Sequence, residues 1–101
     1  MKMPIFYQKN PSFKANYDLS IPDILLGKTH RKVASLEADS LDEAYEKMQG
    51  EVWSPNGEKR NLISMLGLHH TSMSVGDVAM CFLPDETKFF QCDQTGWKVV
   101  Y

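Results

Sequence analysis

From Val78 to Leu83 every position is apolar, with Val78, Met80 and Phe82 alternating with Ala79, Cys81 and Leu83. A strand with one wet face alternates apolar and polar residues. This run therefore predicts a strand covered on both faces, by helices on one side and by a second layer or another subunit on the other. Pro84-Asp85-Glu86 breaks the run with turn chemistry, and Lys88 to Cys92 makes the return strand. Asp93-Gln94-Thr95-Gly96 is a second turn, in which Gly96 is free to take positive φ. Trp97, Val99 and Tyr101 then alternate with Lys98 and Val100, a half-buried strand and a candidate sheet edge. His69 to Tyr101 thus reads as a turn feeding a three-strand meander, with the chain before it as cover.

Upstream, Met3 to Tyr7 predicts a short strand that Pro4 keeps at an edge or confines to the strand's start. The pattern from Gln8 to Gly27 is irregular, with one helical turn at residues 23–27 closed by Gly27. Thr29 to Glu37 fits a strand. Ser40-Leu41-Asp42-Glu43 is a capping box, and Leu41, Ala44, Tyr45 and Met48 follow as one apolar helical stripe. Glu43 and Lys47 pair on its outer side, and Gly50 is expected to end or loosen the helix. After a turn at Ser54-Pro55-Asn56-Gly57, residues 58–66 predict a second helix with Leu62, Ile63, Met65 and Leu66 inward and Gly67 past its end. The expected class is α+β: a mainly antiparallel sheet of about four or five strands with two helices grouped on one face. The expected organisation is a single domain over residues 1–101, with an irregular segment 1–28 and a core from residue 29 onward.

Composition narrows the function classes. At 101 residues the chain has room for one modest core, and its formal charge of −2 with pI near 5.8 argues against a nucleic-acid binder. It has no run long enough to span a membrane and no apolar leader, so a cytoplasmic protein is expected. Cys81 and Cys92 lie on neighbouring predicted strands and are expected as buried thiols rather than a disulfide, and their spacing matches no zinc site.

The run ADSLDEAYEKMQGEVWSPNG, then LGLHHTSMSVGDV, then a hairpin ending in C-D-x-x-G-W resembles the YodL-like family, small proteins of bacteria, archaea and their mobile elements. The likeness covers about Val33 to Val100 and centres on Ser72-Met73-Ser74-Val75-Gly76-Asp77-Val78. It implies a fold and a mobile or accessory gene, and it transfers no catalytic residue.

Chemistry-bearing residues concentrate at His69, His70, Thr71, Ser72, Ser74 and Asp77. These are the ingredients of a nucleophilic triad, but Ser-Val-Gly-Asp reads better as a turn in which Gly76 takes positive φ and Asp77 bonds nearby amides. His69, His70 and Asp77, with His30 as a third imidazole, also suggest a metal site; adjacent histidines on extended chain point opposite ways, so no metal or cofactor is expected. Trp53 and Trp97 join His69, His70, Ser72 and Asp77 as surface binding candidates. Lys28, Arg31, Lys32, Lys59 and Arg60 form the alternative, a basic patch for nucleic acid.

The preferred expectation is a non-catalytic interaction protein acting through its sheet face or edge strand. Its partner would be another protein or a second copy of itself, as a homodimer. The doubly apolar strand and the six methionines, which make adaptable contact surface, motivate it.

Overall fold

The computed structural model describes residues 1–10 and 19–100. It contains strands β1 (Lys2–Gln8), β2 (His30–Glu37), β3 (Val78–Phe82), β4 (Thr87–Asp93) and β5 (Gly96–Val99). Four short helices lie between them: α1 (Ile21–Leu25), α2 (Leu41–Lys47), α3 (Gly50–Trp53) and α4 (Arg60–Met65). The strands form one antiparallel sheet in the order β2-β1-β3-β4-β5. The fold is α+β, and the β3–β4–β5 meander lies where the alternation places it.

The central position of β1 corrects two expectations. Pro4 does not hold this strand at an edge, and the core does not start at residue 29. The ladder between β1 and β3 covers Ile5↔Ala79 and Phe6↔Val78, so on that side Pro4 lies just beyond the paired stretch and no ladder hydrogen bond is asked of it. Every residue of β1 from Met3 to Gln8 is buried, the mark of a strand with cover on both faces.

The two faces carry separate cores. Met3, Ile5 and Tyr7 point toward α2 and α4 with Ala79 and Cys81, packing on Ala44, Met48, Ile63, Leu68 and Met73. Phe6, Val78 and Phe89 point the other way and pack with Ile24 of α1, flanked by Leu19, Ile21, Met80 and Val100. Each fully buried large apolar side chain contributes on the order of 2 kcal/mol. For Val78, Ala79 and Cys81 the two-sided cover is supplied by this same chain, whereas Phe82 at the end of β3 is 52% exposed.

The capping box forms as expected: Ser40 Oγ accepts from the Glu43 N–H at 3.1 Å, and the Glu43 carboxylate accepts from the Asp39 N–H at 3.2 Å. Three local expectations fail. Tyr45 is 38% exposed and Met65 84% exposed, so neither reaches the core, because α2 and α4 each span fewer than two full turns with a narrow inward face. Gly50 does not end the first helix; it opens α3, where its N–H donates to Ser72 Oγ at 2.7 Å. A Cβ there would stand 3.1 Å from that oxygen, so the close approach is the reason for glycine.

At the β2 edge, the register slips between Ile5 and Phe6, leaving Val33 as a bulged residue. Arg31 and Lys32 beside it are exposed. Bulges and cations are the devices by which an edge resists further pairing. The short strand expected at Met3–Tyr7 and the helical turn expected at residues 23–27 form as β1 and α1, the latter starting two residues earlier, so segment 1–28 is not irregular throughout. Residues 11–18 and the placement of Tyr101 in β5 lie outside the described residues.

Candidate functional site

The polar cluster of the His69–Asp77 stretch folds into a knot around one carboxylate. Asp77 is fully buried. Its Oδ1 accepts from the Gln8 N–H at 2.8 Å, and its Oδ2 accepts from the Ser74 N–H and from His70 Nε2, both at 2.8 Å. Three donors on one carboxylate are enough to offset the cost of taking it from water. The His70 ring stacks on Tyr7 with centroids 4.7 Å apart, and Tyr7 donates its hydroxyl to the Thr71 carbonyl at 2.7 Å. Burial, with the Asp77 charge adding to it, drives the Tyr7 hydroxyl well above its ordinary pKa, so it stays a donor.

The neighbouring residues are consumed in the same way. Ser72 Oγ receives the Gly50 N–H, and Ser74 donates to the Ser72 carbonyl at 3.0 Å. His30 is buried, with Nε2 on the Gly76 carbonyl at 2.8 Å and Nδ1 on Thr29 Oγ1 at 2.9 Å. A carbonyl only accepts, so Nε2 carries a proton; burial lowers the ring's pKa, opposed by the Gly76 bond and by Asp77. The Asp77–His70 pair does form, but both serine hydroxyls are held in backbone contacts, and Nδ1 of His70 is buried without a hydrogen-bond partner. His69 turns away to an exposed recess lined by Arg60, Ile63, Ser64, Leu68 and Thr71. Among the described residues no three metal-ligating side chains come together. Trp53 donates its indole N–H to the Thr71 carbonyl at 2.9 Å and lies edge-on to Tyr7, a brace for the same knot.

The basic candidates divide. Arg31 and Lys32 line a recess with Leu25, Leu26 and Leu66, whereas Arg60 lines the one beside His69. Lys59 places its ammonium 5.9 Å from the Trp53 ring centre. Among the described residues, Arg31 and Lys32 thus share one recess while Arg60 lines another.

The remaining candidate, Trp97, sits in a different environment. β5 is the far edge of the sheet, and between it and α2 lies a groove of about 310 Å³ lined by Asp42, Tyr45, Val75, Cys92, Asp93, Gln94, Gly96 and Trp97. Trp97 donates its indole N–H to Asp42 Oδ1 at 3.3 Å, and the Gln94 N–H donates to Asp93 Oδ1 at 2.7 Å. Cys92 is buried at this site, its thiol pushed up to about 11 by burial and by the Asp77 and Asp93 charges. It stands opposite Trp97 rather than Cys81, whose own partner is Lys88, and both thiols are free. Sequence reasoning flagged Trp97 but missed Asp42, Tyr45 and Asp93, because α2 and β5 are joined only by the fold. Tyr45 falls in the apolar stripe Leu41, Ala44, Tyr45, Met48, a spacing that points to the core and conceals its exposure.

No family model, curated protein or solved structure matches this chain. The likeness to the YodL-like family accordingly rests on the motif alone. Among the described residues no helix is long and apolar enough to cross a membrane.

Proposed function

We propose that this protein is a small non-catalytic binding module that receives an extended polypeptide segment at the open edge of β5. The observation carrying this reading is the register of β5. The Val100 N–H donates to the Phe89 carbonyl at 2.7 Å, and Phe90 opposes Val99. In an antiparallel ladder the bonded and non-bonded pairs alternate, so the backbone groups of Lys98 face β4 and those of Trp97 and Val99 face outward. An added strand would find two residues' worth of aligned donors and acceptors, with a groove alongside. The opposite edge, β2, carries a bulge and two exposed cations instead. An accessory role in the cell, in the cytoplasm, agrees with this reading.

The test uses a proline. Val99→Pro removes an N–H that points away from β4, so the fold survives while the edge is blocked. A display selection of random extended peptides against the chain should enrich binders that protect the Trp97 and Val99 amides from hydrogen exchange and lose affinity for the folded Val99→Pro variant. Binders indifferent to that substitution, or no enrichment together with a monomer at all concentrations in light scattering, would overturn the reading.

A further inference from the structure

Resting on the edge reading above, we infer that the groove between α2 and β5 takes a cationic side chain, Lys or Arg, projecting from the added strand. Three features converge. Residues directly opposed across an antiparallel ladder place their side chains on the same face, so the residue facing Trp97 from an added strand projects beside the indole, on the face where α2 lies. That position is walled by two aromatic rings, Trp97 and the exposed Tyr45, whose faces attract a cation. Asp42 and Asp93 stand in the same wall, and each commits one carboxylate oxygen to an internal donor, leaving the other for a donor from outside. Among the described residues, the eight that line the groove include two carboxylates and no Lys, Arg or His.

The size agrees with the assignment. A cavity near 310 Å³ lies at the lower end for ligand sites and suits one long side chain rather than a whole metabolite. The stem of a Lys or Arg would pack its methylenes along the Trp97 ring while the charged head reaches the carboxylates. Charge complementarity selects a polypeptide carrying a basic residue over an acidic or neutral one.

The probes are blocked single amino acids, N-acetyl-lysine methylamide, its arginine counterpart, the isosteric norleucine derivative and the glutamate derivative, titrated into the full chain while the Trp97 indole N–H is followed by NMR. The cationic probes should give saturable shifts at the Trp97 indole and none at Trp53. Norleucine and glutamate should bind at least tenfold more weakly. Asp42→Asn, which keeps an oxygen for the indole, should weaken the lysine probe several-fold, and Asp93→Asn should do likewise. Equal shifts from norleucine, or shifts unchanged in both asparagine variants, would overturn the proposal. Val99→Pro separates the two readings: single amino acids should bind it as they bind the parent, while extended peptides should not. Loss of the cation preference with edge binding intact refutes only the groove assignment, and the reverse pattern refutes only the edge.

Discussion

The Gln8 N–H donates to Asp77 Oδ1 at 2.8 Å, a bond between residues 69 positions apart that fastens the end of β1 to the turn entering β3. Asp77 is therefore a long-range tie as well as a turn residue. Asp77→Ala would leave two main-chain donors, Gln8 N–H and Ser74 N–H, together with the His70 ring, without their acceptor. The expected cost is about 3–5 kcal/mol by urea unfolding. Asp77→Asn, which keeps one acceptor oxygen, should cost clearly less. A loss below about 1 kcal/mol for the alanine variant would show that water replaces these bonds.

Gly76 and Gly96 separate backbone strain from collision. Both have positive φ, 99° and 136°. A Cβ at Gly76 would collide with the side-chain amide of Gln8, whereas one at Gly96 would meet nothing within 4 Å. Gly96→Ala should cost about 1 kcal/mol, and Gly76→Ala at least twice that. Combining Gly76→Ala with Gln8→Ala should recover the collision share and leave the conformational one, which a double-mutant cycle reads directly.

His30 predicts a pH dependence with a definite sign. Burial depresses its pKa below the ordinary 6.5, so the native state holds fewer protons than the unfolded chain once pH falls under that value. Its stabilisation is complete above pH 6.5 and is lost as pH drops toward the native pKa, with a slope of at most about 1.4 kcal/mol per pH unit. Urea midpoints at pH 7.5 and 5.0 should differ less in His30→Gln than in the parent. An equal difference would assign the acid sensitivity to other groups.

Both thiols should resist labelling in the folded state. Burial raises the Cys81 pKa, and Cys92 sits at about 11, so at pH 8 only about one Cys92 in a thousand is thiolate. Reaction with a disulfide reagent should follow the rate of unfolding in urea. Labelling of native protein at the rate of an exposed cysteine would show that the groove beside Trp97 opens to its floor.

What was legible in the sequence was local. The capping box at Ser40 and Glu43, the turn at Gly57 and the β4–β5 hairpin each depend on a handful of neighbouring residues, and each forms. The placement of β1 was not legible, since Pro4 describes what its own residue cannot do and says nothing of β3, whose pairing begins one residue later. Tyr45 and Met65 follow helical spacing yet point outward, because helices this short bury one or two positions rather than a stripe. Asp77 was legible by half: its bond to Ser74 is turn chemistry, whereas its bond to Gln8 requires the assembled sheet. The groove was legible only through Trp97, because Asp42 and the second ring, Tyr45, belong to a helix some fifty residues earlier.

The order in which the strands are synthesised bears on how this fold is reached. β1 leaves the ribosome first of the five, yet it lies between β2 and β3. Once β2 has emerged, the two can pair and shelter one side of β1, but Ile5 and Phe6 meet Ala79 and Val78 only after three helices have followed. Throughout that interval an apolar strand waits half-covered. Folding should therefore be slow for a chain of this length, and the growing polypeptide is most open to misassociation just before β3 arrives.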